Sequence, residues 1–350
     1  MLSTVILENF RAFERLELHG LRRVNLLVGV NNAGKTSVLE AIRFLVSPGT
    51  PEALLDSLER REEFQLGGTR VAAGIFDPAH LFFGRVLGEQ QRARVSGRDG
   101  TQERSAELLW TSMHAQPLRA GGWRREKSAA FSFGELAFRW DGEAIGTVIP
   151  VGNGIDRNAW SGHLGEAAPL LTASGMGRDA AVAALGAIAL SAEAENVVAA
   201  LRIAEPALAG IASVLVDDGS GTTRGSVIVR LGDAPPVPIG SLGDGMWRLL
   251  GLALSLARAK GGVLFVDEID TGLHYTALPR MWKMVAEAAE RLDIQVFATT
   301  HSKDAVDGLA TLGAEADMCL LRVERGRTKA VSYTAQEVLT ATDRDFEVRG

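Results

Sequence analysis

A single cysteine, Cys319, is all the thiol chemistry in this chain of 350 residues. An internal disulfide is impossible, so a small bridged scaffold is excluded, and a reducing cytoplasm is the expected setting. Nor can a zinc site be built from cysteine pairs. A surplus of positive charge is also missing: 37 basic side chains face 43 acidic ones, for a net charge of −6. A protein that coats nucleic acid over its whole surface would be basic, so any such contact here must be a local patch. Long apolar runs are lacking as well. The longest in the C-terminal half, 249–257, is nine residues, about half of the roughly 20 that span a bilayer. Met1-Leu2-Ser3-Thr4 has no basic head followed by an apolar stretch, so neither a signal peptide nor a membrane partner is expected. With 46% hydrophobic and 23% charged residues the chain is of ordinary globular composition, and its length suits one large or two ordinary domains.

The pattern along the chain changes three times. Residues 3–18 alternate around a turn at Asn9-Phe10-Arg11 and read as a β-hairpin. Residues 24–28 form a short, nearly continuous apolar strand of the kind buried in a parallel sheet. A helix from Lys35 follows, with Val38, Leu39, Ile42 and Leu45 at helical spacing, and Pro48-Gly49 ends it. Residues 50–160 alternate short β-like runs with glycine-rich turns, and an inserted, mostly antiparallel lobe is expected there. Residues 161–239 read as a connecting segment, helical and alanine-rich over 176–205, then a hairpin about 217–221. From 240 to 350 strands and helices alternate again. Residues 1–49 and 240–350 are thus expected to form the two parts of one α/β unit.

Gly29-Val30-Asn31-Asn32-Ala33-Gly34-Lys35-Thr36 matches G-x-x-x-x-G-K-[ST] in full. Consecutive backbone N–H groups must wrap a phosphate chain, so Gly29 and Gly34 stand where a Cβ would collide or φ must be unusual. The following helix aims its N-terminus at the anion. Lys35 is expected to meet the outer phosphates, and the Thr36 hydroxyl to ligate Mg²⁺. A strand before and a helix after supply the context that an incidental glycine turn would not need. No Asn-Lys-x-Asp guanine signature occurs, which favours ATP.

Val263-Leu264-Phe265-Val266-Asp267-Glu268 is an apolar strand ending in two acids. Such an ending puts the acids at the carboxyl edge of a sheet, where open α/β folds bind ligands. Asp267 is expected to hold Mg²⁺, and Glu268 to orient and deprotonate an attacking water. Ser241-Leu242-Gly243-Asp244-Gly245 opens a long apolar helix, with Ser241 as the expected N-cap. A further strand, 295–300, runs into His301.

Taken in this order, the elements resemble the ABC-type ATPase set: phosphate loop, signature, acidic strand with its loop Asp270-Thr271-Gly272-Leu273-His274, and switch histidine. Asn9-Phe10-Arg11 together with residues 31–42, Ser37 included, is similar to the N-terminal lobe of the RecF, SMC and OLD (overcoming lysogenization defect) ATPases. Gly243-Asp244-Gly245, residues 267–274 and Thr299-Thr300-His301-Ser302 are most like the OLD branch. The resemblance implies an α/β P-loop NTPase, an ABC-type ATPase head with a mixed β-sheet, plus an antiparallel β lobe and a helical subdomain. It also implies a homodimer whose heads stack in opposite directions around two ATP molecules. Ser241 and Gly243 would then reach the γ-phosphate held by the other subunit, His301 would contact the γ-phosphate or the water, and Arg11 would approach the nucleotide.

Three features depart from that pattern. The signature has Leu242 and Asp244 where many ABC proteins have glycine and glutamine. A coiled coil of SMC length does not fit between Lys35 and Asp267. Too few residues follow His301 for the Toprim nuclease domain of OLD proteins, so a separately encoded effector is the expected partner. Residues 85–127 carry nine basic side chains (Arg85, Arg92, Arg94, Arg98, Arg104, Arg119, Arg124, Arg125, Lys127) against five acids, a local excess that suits a phosphate backbone. DNA association in genome maintenance or phage defence is one expectation; a nucleotide-gated scaffold for the effector is the other.

Overall fold

The computed structural model describes residues 1–67, 70–113, 133–148, 155–156, 160–162, 166–217 and 223–344. Its centre is a six-stranded sheet ordered β12-β16-β17-β3-β18-β19. These strands are Leu170–Leu171 (β12), Val263–Val266 (β16), Gln295–Thr299 (β17), Val24–Val28 (β3), Met318–Arg322 (β18) and Val331–Thr334 (β19). The first five run parallel, and β19 pairs antiparallel with β18. All five residues of β3 and of β17 are buried, as strands covered on both faces must be.

Period-two alternation sends their side chains to two cores. Val24, Leu26, Leu264, Val266, Val296 and Ala298 join one cluster with the helices Asp244–Arg258 (α5), Leu278–Arg291 (α6) and Lys303–Ala310 (α7). Leu27, Phe265, Phe297 and Leu321 join the other, which contains the helix Lys35–Leu45 (α1). Across α1 lies a seven-stranded antiparallel sheet, β11-β9-β8-β7-β6-β1-β2. Its members are Leu2–Phe10 (β1), Phe13–His19 (β2), Gln90–Asp99 (β6), Gln102–Met113 (β7), Phe133–Trp140 (β8), Glu143–Val148 (β9) and Trp160–Gly162 (β11). The N-terminal hairpin and the strands expected further along therefore share one sheet, because β1 pairs with β6. The helix α1 is held between the two sheets, with Phe44 edge-on to Phe138 and Trp140.

The β-like stretch opens on an α-helix. Glu52–Arg60 (α2) buries Leu54, Leu55 and Leu58, an apolar stripe at helical spacing. The strands Phe64–Gly67 (β4), Arg70–Phe76 (β5) and Ile155–Asp156 (β10) make a small separate sheet. The alanine-rich segment is two helices, Arg178–Ile188 (α3) and Ala192–Leu201 (α4), broken at Ser191. The expected hairpin is Leu208–Asp217 (β13) with Thr223–Leu231 (β14), extended by Val237–Pro238 (β15); its tip, 218–222, lies outside the described residues. Ala335–Asp343 (α8) closes the fold with a capping box between Thr334 and Glu337.

Candidate nucleotide site

The loop between β3 and α1 has the backbone that the sequence pattern requires. Gly29 has φ of 147°, and a Cβ there would lie 2.4 Å from the carbonyl oxygen of Val323; Gly34 has φ of 98°, and a Cβ there would meet the Phe13 ring at 2.5 Å. Only glycine fits both places. Gly34 caps α1 without any side-chain hydrogen bond. The first N–H groups of the helix are therefore not taken up by a cap, the usual condition of a helix N-terminus that receives an anion. Asn31 and Asn32 are exposed on the loop, while Ala33 and Ser37 are buried beneath it.

The Lys35 ammonium donates to the carbonyls of Gly29 (2.7 Å) and Val30 (3.2 Å) and so lies folded along the loop. Burial lowers its pKa, and the charges of Asp267 and Glu268 oppose that shift. The Thr36 hydroxyl lies 3.2 Å from both carboxylate oxygens of Asp267. Thr299 at the end of β17 donates to the same carboxylate at 2.7 Å and accepts from the Glu268 N–H at 2.9 Å. Three adjacent parallel strands thus converge here: β3 leads to the loop, β16 delivers the acids and β17 delivers Thr299 and His301. Glu268 has φ of 48°, a strained setting for a residue with a side chain. Its carboxylate is 3.8 Å from Nδ1 of His301 and accepts from Thr271 at 3.4 Å. Thr36 and Asp267 suit Mg²⁺, which is held by few protein oxygens and completed by phosphates and water. Among the described residues no cluster of three or more His, Cys, Asp or Glu could hold a metal on its own.

Ser241 and Gly243 lie elsewhere. The helix α5 begins at Asp244 and its cap is Gly243, with φ of 89° and no side-chain hydrogen bond. Ser241 is therefore not the N-cap; it sits in a 3₁₀ turn, Ile239–Leu242, that precedes the cap. It is exposed. Among the described residues neither Ser241 nor Gly243 bonds to the phosphate loop.

Arg11 is taken up in an ion-pair cluster. Its guanidinium donates to Glu63 (3.0 and 2.8 Å) and to Ser57 (2.6 Å), and it pairs with Glu40 at 2.9 Å. The tight turn between β1 and β2, with Arg11 at φ of 48°, aims it inward at α1 and α2.

Arg248 was not legible as a site residue, since a lone arginine in an apolar helix carries no motif. From α5 it donates to the main-chain carbonyls of Asp267 (2.7 Å) and Glu268 (2.6 Å) and to that of Thr172. It is buried; burial lowers its pKa while Asp270, Asp267 and Glu268 pull the other way. It ties α5 to the strand end that carries both acids. Replacing Arg248 with Met should cost about 2–3 kcal/mol of stability, since three partly buried carbonyls lose a charged donor. Equilibrium denaturation measures this, and a loss under 0.5 kcal/mol (roughly the noise of a neutral surface change) would show that the clamp carries no load.

The same regions are matched by known families. Residues 1–65 match a model described as "AAA ATPase domain", and residues 179–307 match one described as "AAA domain, putative AbiEii toxin, Type IV TA system". The DNA replication and repair protein RecF of Nitrosococcus oceani is 32% identical over 132 residues, 33% of this chain and 33% of that protein. RecF of Roseiflexus castenholzii is 52% identical over 50 residues, 14% and 13% of the two chains. An ATP/GTP phosphatase of Helicobacter pylori is 39% identical over 46 residues, 13% and 12%. The matched stretch thus spans a third or less of each of these relatives. Solved SMC heads share the fold over nearly the whole chain. A SmcHead bound to the C-winged helix domain of ScpA superposes with a TM-score of 0.57 at 12% identity, covering 97% of this chain and 99% of that one. An Smc head with an extended coiled coil bound to the C-terminal domain of ScpA, from Pyrococcus furiosus, gives 0.55 at 11% identity, covering 98% and 99%. Phosphate loop, acidic strand and overall architecture agree: the chain carries AAA-type ATPase segments at residues 1–65 and 179–307 on the fold of the SMC heads.

Proposed function

We propose that the protein binds and hydrolyses ATP with Mg²⁺ and does so as a head-to-tail homodimer. The observation that carries this reading is the convergence of Lys35, Thr36, Asp267, Glu268 and His301 at one sheet edge. Lys35 leaves its loop carbonyls to meet the outer phosphates. Thr36 and Asp267 hold the cation, which would neutralise charge as the terminal phosphate departs. Glu268 takes a proton from the attacking water, and His301, beside it, contacts the γ-phosphate or that water. Ser241 and Gly243, exposed at the start of α5, are free of their own loop and suit a nucleotide bound by a second copy. Helix N-termini favour such anions.

Sharing of sites between subunits is testable by mixing. Ser241→Arg should block dimer closure while sparing ATP binding by the monomer. Mixed with Lys35→Ala chains it should regain part of the wild-type turnover, because one composite site is then intact. Turnover that stays at the level of the two variants alone would exclude shared sites.

The relatives' names connect this head to DNA repair and to defence systems, and a role in one of these with a separately encoded effector follows by analogy. The alternative is a slow-turnover scaffold that controls a partner protein. The SMC heads solved with ScpA domains favour it, as does the pairing of the arginines expected to grip DNA. Arg92 pairs with Glu107, and Arg94 with Glu103 and Glu107 at 3.7 Å. Cross-strand register sets Arg15, Glu8, Arg94, Glu107 and Arg139 in one row of alternating charge. Arg119, Arg124, Arg125 and Lys127 lie outside the described residues. Among the described residues no helix is long and apolar enough to cross a membrane.

A further inference from the structure

The strands β16 and β17 pair in parallel with Val266 beside Ala298. One step past that pair, Asp267 and Thr299 therefore stand side by side at the carboxyl edge of the sheet. Alternation along β17 puts Thr299 on the same side as Phe297, which joins the core of α1, the helix that carries Thr36. Thr299 is fully buried, and its hydroxyl is used twice. It donates to Oδ1 of Asp267 at 2.7 Å and accepts from the main-chain N–H of Glu268 at 2.9 Å. A hydroxyl can donate and accept at once, which a methyl group of the same size cannot. With Oδ1 engaged, Oδ2 of Asp267 is left with the Thr36 hydroxyl at 3.2 Å. The next residue, Thr300, is equally buried and makes the same pair of bonds to other partners. It donates to Asp270 at 2.6 Å and accepts from the Ser302 N–H at 2.9 Å.

We propose that Thr299 is a positioning residue that sets the cation ligand and the base together: its hydroxyl turns the Asp267 carboxylate so that Oδ2 is left for the cation, and the same oxygen anchors the main chain from which Glu268 extends. The inference rests on the ATP and Mg²⁺ site proposed above. A hydrogen-bonded outer partner fixes the plane of a ligating carboxylate and with it the affinity for the metal. Glu268 needs an anchor for a second reason. Its φ of 48° is strained, so the surroundings must hold it. Arg248 holds the carbonyl of that residue and Thr299 its N–H. Thr300 has the same burial and chemistry without a bond to either acid among the described residues, which makes it the control.

ATP binding by isothermal titration, once in EDTA and once in excess Mg²⁺, tests this without reference to turnover. Thr299→Val keeps the shape of the side chain and removes the hydroxyl. It should cut the gain in affinity that Mg²⁺ brings by about tenfold, the lower end for an outer partner of a metal ligand, and leave binding in EDTA within about twofold of wild type. Thr299→Ser should restore the gain, and Thr300→Val should leave it unchanged. Where the valine chain does not fold, Thr299→Ala should show the same selective loss. With Mg²⁺ raised to saturation, a single turnover by the Thr299→Val chain should stay about tenfold slower than wild type, because the Glu268 N–H still lacks its partner. Equal losses in EDTA and Mg²⁺, an undiminished gain, or the same loss in Thr300→Val would overturn the setting of Asp267. A rate that recovers fully with Mg²⁺ would overturn the hold on Glu268. A wild-type protein whose ATP affinity is the same with and without Mg²⁺ would instead overturn the cation site itself, and this role with it.

Discussion

Glu268→Gln is expected to slow ATP hydrolysis by about 10²–10⁴-fold, the usual worth of a general base, while ATP stays bound. Glutamine keeps the shape of the side chain and loses only its capacity to take a proton. The main chain at this position is held from both sides, by Thr299 at the N–H and by Arg248 at the carbonyl. The strained φ of 48° is therefore set by the surroundings and should survive the exchange. His301 loses the carboxylate 3.8 Å away, so its contribution falls with that of Glu268. With cleavage blocked, the ATP-bound dimer should accumulate. Single-turnover kinetics and the solution mass with and without ATP read the two effects. Turnover within threefold of wild type (roughly 0.7 kcal/mol in barrier) would remove Glu268 from the role of base.

Lys35→Ala should weaken ATP binding by about 10²–10⁴-fold, since charged hydrogen bonds to two phosphates are lost at roughly 1.5–3 kcal/mol each. The folded protein should tolerate the change. The ammonium is half-buried, and burial already works against its charge. Its partners in the absence of nucleotide are the loop's own carbonyls of Gly29 and Val30, and Val30 is exposed, so water can replace the ammonium there. An unfolding midpoint close to wild type with binding lost is the expected pair of results. Tight binding retained would contradict the loop's assignment; a collapsed midpoint would show that Lys35 acts through the fold. The contrast with Arg248 is physical: Arg248 is itself buried and joins three main-chain carbonyls from separate segments, so its loss should appear first as stability.

The phosphate loop was legible because eight adjacent residues dictate a local backbone. Gly29 and Gly34 are needed where they stand, and the lysine and threonine follow from position in the helix. The acidic strand was legible for a similar reason: an apolar run between turns must be buried, so acids at its end must emerge at an edge. Ser241 shows the limit of local reasoning. Serine is a good cap, yet the chain turns through a 3₁₀ segment first and Gly243 caps α5 at a positive φ. Helix α2 was masked by the β-like runs that follow it, although Leu54, Leu55 and Leu58 carry a helical stripe.

What the amino-acid order alone determined is the set of elements whose chemistry is complete within a few residues: the anion-binding loop, the Asp267-Glu268 strand end and the buried parallel strands. Tertiary structure decided where the arginines go. Arg11 is turned into Glu40 and Glu63, Arg248 reaches across to the carbonyls of Asp267 and Glu268, and Arg61 is forked on Glu40. A long charged side chain has no preferred partner nearby in sequence. It ends where burial leaves an opposite charge or an unpaired carbonyl, and that is known only once helices and sheets have packed.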